Sequence, residues 1–281
     1  MSTGIIVMST TVKSKFVHEH IDLIAKTIDL SCNFKDGSEY TSTNINNSEL
    51  FKLIDEKKEI PKTSQPSIQY MEDSIKEALN KFDNLVIISP HSSLSGTYQN
   101  CISCVDNLNA NDKITIIEAQ GIAATEMAVC DELVRLIKEG LSYQDISKSI
   151  IEFNKRAYIL VFPQDIEYLK LSGRIKGAQA LLLGVLNIKL AIEMRDHPPK
   201  LVSKGRGEKF ILKYLNSVLD PNKVEYVCFA SINADVKFKE QVFNFLDSKD
   251  IKYVDGGETD MTLAVHLGPN TIGFGVVEKQ A

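Results

Sequence analysis

The chain has 281 residues, 43% of them hydrophobic and 25% charged, which is enough for one large domain or two moderate ones with separate cores. A net charge of −5 argues against nucleic-acid binding driven by bulk charge, and the longest apolar run, AQALLLGVLNI (178–188), is shorter than the ~20 residues that span a bilayer. Five cysteines, an odd number, do not suggest a disulfide framework, and the early GIIVM is too short for a signal core, so the cytoplasm is the expected compartment.

Ile5–Met8 reads as a first strand. Phe16, Val17, Ile21, Ile24, Ala25 and Ile28 recur at helical spacing and predict a helix over Phe16–Ile28. NNSELFKLIDEKK (46–58) reads as a second helix. Ser67 is placed to cap a third over Ile68–Lys81, with Glu72 and Asp73 near its positive end. Leu85–Ser89 and Ile114–Ile117 read as strands, Ala123–Lys138 and LSYQDISKSIIEFNKR (141–156) as helices, and Ala157–Phe162 as a strand. This repeated order predicts a mostly parallel sheet with helices on both faces.

From Gln164 onward the texture changes. A helix over Ile166–Leu171 meets an SGRIKG break, and strands at Asn187–Glu193 and Lys200–Ser203 flank the turn RDHPPK. Helix Gly207–Leu219, strand Val224–Ala230, helix Val236–Ser248, strand Ile251–Val254, helix Glu258–Val265 and strand Thr271–Val277 complete the chain. The expected architecture is α/β: two α/β domains, 1–160 and 161–281, each on a central β-sheet.

Several segments carry polar groups where a ligand would meet them. HSSLSGTY (91–98) follows a strand, where loops of open α/β sheets bind ligands, and its hydroxyls and free N–H groups favour an anion; a Ser-rich helix start is the plainer reading. The chain has no G-x-x-x-x-G-K-[ST] loop, no G-x-G-x-x-G fingerprint and no G-x-S-x-G elbow. KTSQPS (62–67) is a second hydroxyl-rich stretch. Pro66 biases Gln65 toward an extended conformation, which predicts Thr63 and Ser64 in a loop. Arg174 stands on a Gly-flanked turn, where its guanidinium can fork onto a carboxylate or remain a surface arginine. His266 precedes a Gly-Pro turn, a position that usually holds a structural histidine. Cys101-x-x-Cys104 lies inside a helix, where buried thiols are the simpler reading than a redox pair or metal site. His18-Glu19-His20 lacks H-E-x-x-H spacing. ALLLGVL (180–186) suits either a core helix or the wall of an apolar cavity. No metal or cofactor is expected.

Together these segments resemble the DegV family, whose members include the fatty-acid-binding subunits of bacterial fatty acid kinase. TSQPS (63–67), SSLSGTYQ (92–99), EYLKLSGRI (167–175), LGVLNIK (183–189), KGRGEK (204–209) and HLGPNTIG (266–273) match the family's blocks in order. Met8-Ser9-Thr10 stands where the family usually has Asp-Ser-Thr, and Gly268-Pro269-Asn270 where it has Gly-Pro-Gly. The resemblance implies two domains with a long-chain fatty acid buried between them and its carboxylate offered to a separate fatty acid kinase. Thr63 and Ser92 are the implied carboxylate contacts, with Ser93 or Ser95 in reserve and Arg174 and His266 around the same end. Lys204, Arg206 and Lys209, three cations at an expected helix start, are candidates for docking the kinase, with a solvated face as the alternative. The reading is compatible with transient membrane contact and leaves oligomeric state open. The rival is a serine hydrolase or acyltransferase using Ser92 or Ser95 with His266 as base.

Overall fold

The computed structural model describes residues 1–174, 188–195 and 197–280. ALLLGVL and most of LGVLNIK therefore lie outside the described residues. The N-terminal part runs β1 (Thr3–Met8), α1 (Lys15–Glu19), β2 (Ile24–Ile28), β3 (Ser31–Asn33), β4 (Glu39–Thr41), α2 (Asn47–Lys57), β5 (Lys62–Ser64), α3 (Ile68–Leu79), β6 (Asn84–Ser89), α4 (Thr97–Asn107), β7 (Ile114–Glu118), α5 (Ala124–Lys138) and α6 (Tyr143–Lys155). The remainder runs β8 (Ala157–Phe162), α7 (Ile166–Ser172), β9 (Ile188–Met194), β10 (Lys200–Arg206), α8 (Gly207–Val218), β11 (Val224–Ile232), α9 (Val236–Ser248), β12 (Tyr253–Glu258), α10 (Met261–Leu267) and β13 (Thr271–Glu278).

The first sheet is parallel, in the order β2-β1-β6-β7. The second, β10-β9-β8-β13-β11-β12, is antiparallel except for the β11–β12 pair, and it begins with the strand at 157–162. Strand alternation explains how both sheets bury two faces. Ile5 and Val7 of β1, with Val86 and Ile88 of β6, face α5, while Ile6, Met8, Leu85 and Ile87 face α3 and α4. In β8, Tyr158, Leu160 and Phe162 join the core under α8 and α9, whereas Ile159 and Val161 point the other way. Helix α5 is buried through most of its length because it lies between the sheets, packing on β1 and β6 as well as β8, β11 and β13. Gly275 on β13 permits this approach: a Cβ there would stand 2.5 Å from the Ala124 carbonyl oxygen of α5.

Local chemistry explains the element starts. Asn46 and Glu49 close a capping box on α2, and Ser67 accepts from the Tyr70 N–H at 3.2 Å on α3. Asn270 takes φ 60, the left-handed turn position that asparagine tolerates.

Four expectations are corrected. The predicted helix over Phe16–Ile28 is a five-residue helix followed by β2, because Ile24–Ile28 pairs along β1 and its apolar side chains serve sheet packing. Thr63 and Ser64 are on β5, not in a loop; β5 pairs with β3 in a small antiparallel sheet with β4 that the sequence reading missed. Glu258 ends β12 and does not start a helix; α10 begins three residues later, capped by Asp260. Lys204 and Arg206 lie on β10, with only Lys209 inside α8. Among the described residues β10 is an edge strand, and its outward Lys200, Lys204 and Arg206 are charges of the kind that keep an edge from pairing with another chain.

Candidate functional site

Three loops leaving the carboxyl ends of parallel strands meet one face of the second sheet. Thr10 follows β1, Leu94–Gly96 follow β6 and Ile122 follows β7. Ile159 and Val161 of β8 and Ile192 and Met194 of β9 supply the facing wall. Thr63 and Ser64 of β5, Gln65 just after it, Leu169 and Ser172 of α7, and one face of α10 close the remainder. The result is a cavity of about 450 Å³, within the usual ~300–1,000 Å³ of small-molecule sites.

Its lining is divided by chemistry. The apolar part is aliphatic: Leu94, Ile122, Ile159, Val161, Leu169, Ile192, Leu263 and Leu267, with Met194. The polar lining includes Thr10, Thr63, Ser95, Thr262, Arg174 and His266; of these, Thr63 and His266 are hydrogen-bonded and Arg174 is near enough to act on the His266 ring. Helical spacing on α10 accounts for two of these: Thr262 and His266 are four residues apart, as are Leu263 and Leu267, so all four share a face. Asp260 caps that helix and fixes Thr262 through both its N–H and hydroxyl. Gly173 ends α7 at φ 65, and the chain turns back so that Arg174 Nη1 donates to the Ser172 carbonyl at 2.6 Å.

Thr63 Oγ1 lies 2.9 Å from His266 Nε2. Burial, together with the Arg174 guanidinium, pushes the His266 pKa down to about 3, so the ring is neutral at neutral pH. Arg174 itself is lowered by burial, with no carboxylate opposing the shift and no ion-pair partner among the described residues. Ser95 Oγ is 2.8 Å from the buried Thr97 hydroxyl at the start of α4. Gln65 packs against Gly96, and a side chain at 96 would have to displace the exposed Gln65 carboxamide.

The expected contacts thus separate. Thr63, Ser95, Arg174 and His266 line one cavity. Ser92 and Ser93 are exposed on the turn above it, and neither is among the lining residues; their N–H groups donate to Glu118 Oε1 at 2.7 Å and to His91 Nδ1 at 3.0 Å. Among the described residues His266 is hydrogen-bonded to Thr63 and to neither Ser92 nor Ser95, so neither serine is paired with it. Cys101 and Cys104 are buried in α4 as free thiols, and burial raises both pKa values.

A sequence model of the DegV family, described as uncharacterised protein, DegV family, matches residues 2–279. The chain belongs to the DegV family. A DegV domain-containing protein of Caldanaerobacter subterraneus is 26% identical over 256 residues, covering 87% of this chain and 88% of the relative. A solved structure described as a stearic-acid-binding protein from Eubacterium ventriosum is 25% identical, with a TM-score of 0.79 over 99% of this chain and 98% of that one. A DegV family protein from Eubacterium eligens, solved loaded with heptadecanoic acid, is 14% identical with a TM-score of 0.85, covering 99% and 100% of the two chains. Among the described residues of this DegV chain, no helix is long and apolar enough to cross a membrane.

The sequence reading missed Thr10, Thr262 and Glu126. The fully buried Glu126 lies directly behind Thr10. For Thr262 the i, i+4 spacing to His266 was a usable signal. For Glu126 the signal was a carboxylate within a run, 123–130, that is otherwise free of charge.

Proposed function

We propose that this DegV chain binds a long-chain fatty acid, with the acyl chain along the aliphatic wall and the carboxylate at the Thr63, His266 and Arg174 end. One observation carries the reading: a cation without a carboxylate partner among the described residues stands beside a neutral imidazole and hydroxyls, at the polar part of an otherwise aliphatic cavity. That arrangement suits an amphipathic anion. Neutral His266 can donate its Nε2–H to Thr63 and leave the Thr63 hydroxyl proton free for the ligand, while Arg174 supplies the charge. Each buried methylene adds roughly 0.8 kcal/mol, so the aliphatic wall provides affinity and the polar group orients the acid. The stearic-acid-binding and heptadecanoic-acid-loaded relatives support the ligand class.

The chain acts on this reading as a carrier, not an enzyme, offering the carboxylate to a separate fatty acid kinase that forms the acyl phosphate. Lys204, Arg206 and Lys209, all exposed, form the basic stretch proposed to meet an acidic kinase surface. Ser92 and Ser93 stand on the loop that carries Ser95, outside the cavity lining, and on this reading reach the head group only from there. The test is mass spectrometry of lipid extracted from protein purified under native conditions. A stoichiometric C14–C18 acid is expected, and protein that is empty and takes up no added acid overturns the proposal.

A further inference from the structure

Glu126 stands in the first turn of α5, 0% exposed, behind the cavity wall and not in it. Its Oε2 accepts the Ala123 N–H at 2.7 Å, holding Ala123 at φ 52, and its Oε1 lies 3.2 Å from Thr10 Oγ1. Thr10 is the buried cavity-lining residue of the β1 loop. The groups facing Glu126 are the Thr10 and Thr11 hydroxyls from that loop, Asp260 at the cap of α10, and Cys130 one turn along α5; none is a cation. Asp260 also holds Thr262, one turn from His266, and Thr10, Thr262 and His266 all line the cavity. Burial, with Asp260 nearby, pushes the Glu126 pKa up to about 8, so near neutral pH it is largely the protonated acid.

A hydroxyl has one proton to direct. When Glu126 is ionised, Thr10 must donate to it and turns lone pairs toward the cavity. When Glu126 is protonated, its acid O–H can donate to Thr10 Oγ1, and the Thr10 proton is free to point at the ligand. An anionic head group is favoured by the second arrangement and opposed by the first. We propose that Glu126 is a positioning residue for the bound carboxylate: from behind the wall it sets the donor direction of Thr10 and couples acid binding to uptake of a proton. This inference rests on the fatty-acid reading above.

Affinity for one acid, measured by displacement of a fluorescent fatty acid from about pH 7 to about pH 9.5, tests it. His266 is neutral throughout that range. Wild-type binding should be about tenfold weaker near pH 9 than near pH 7, because the competent, protonated fraction falls by that factor. E126Q keeps an acceptor for Ala123 and gives Thr10 a permanent donor, so its profile should be flat and match the wild type at the low end. The matching fatty alcohol should show no pH dependence with either protein. Calorimetry near pH 8.5 in buffers of different ionisation enthalpy gives a check that needs no variant: most of a proton should be taken up per acid bound. A flat wild-type profile, an E126Q profile parallel to wild type, or no proton uptake overturns the inference and leaves acid binding standing. Absence of acid binding at every pH overturns the reading beneath it.

Discussion

Thr63 Oγ1 and His266 Nε2 are 2.9 Å apart although 203 positions separate them in the chain. One sits on a three-residue strand of the small sheet and the other on the last turn of α10, so the bond ties the N-terminal half to the C-terminal half at the polar end of the cavity. On the proposed reading the two residues act on one head group. A hydrogen bond to a charged group is worth roughly 1.5–3 kcal/mol, so Thr63→Ala should weaken fatty acid binding by roughly tenfold to a hundredfold. His266→Gln should weaken it as well, and the double variant should lose less than the sum. Displacement of a fluorescent acid from folded variants measures all three, and additive losses would show that Thr63 and His266 work separately.

Arg174 is expected to matter for the acid alone. Arg174→Gln should weaken acid binding by roughly tenfold or more, while the fatty alcohol of the same length is held equally by both proteins. Arg174→Lys should recover part of the loss, since it restores the charge without the planar fork. Equal sensitivity of acid and alcohol would mean that Arg174 serves the shape of the cavity and not its charge.

Two buried groups give stability a pH dependence of opposite sign. His266 titrates near 6.5 when unfolded and near 3 when folded, so between those values the unfolded chain binds the extra proton, and stability falls as pH falls. Glu126 titrates near 4.5 unfolded and near 8 folded; there the folded state holds the extra proton, and stability falls as pH rises through that window. E126Q should therefore raise the denaturation midpoint relative to wild type at about pH 8 and have little effect near pH 4. His266→Gln should lessen the loss on acidification. Chemical denaturation across pH 4–9 reads both slopes, and parallel curves for E126Q and wild type would contradict the assignment.

The exposed basic stretch predicts a separation of binding from transfer. Arg206→Glu reverses an exposed charge on an edge strand, outside the cavity lining, so the acid should bind unchanged. Acyl-phosphate formation with a fatty acid kinase catalytic subunit should drop several-fold and depend less on salt. Unaltered turnover at all salt concentrations would leave Lys204, Arg206 and Lys209 with the edge-protecting role alone.

Gly275 gives a test of the fold itself. With the Ala124 carbonyl oxygen 2.5 Å from any added Cβ, Gly275→Ala must push α5 away from β13. A loss of roughly 1–3 kcal/mol is expected from overpacking at backbone, read by denaturant unfolding. Wild-type stability would show that the interface between α5 and the second sheet yields more easily than its packing implies.

Much of this protein was legible in its sequence because local physics determined it. Ala157–Phe162, a run of apolar and aromatic residues, is a strand with the expected bounds, and Ser67 caps α3 as its hydroxyl before an amphipathic run implied. The ordered motifs likewise carried the family. Tertiary structure decided what depends on partners far along the chain. Ile24–Ile28 has helical spacing in isolation, but pairing with β1 satisfies its backbone and buries its side chains, and that outweighs a weak local preference. Thr63 gains strand geometry only because Cys32 lies opposite it. The resemblance placed Ser92 ahead of Ser95 as a contact, yet Ser95 lines the cavity and Ser92 does not, because the path of the turn, and not the local pattern, decides which hydroxyl faces inward. Glu126 could be read as a helix-start carboxylate, yet its burial and its hold on Thr10 exist only once two sheets close around α5.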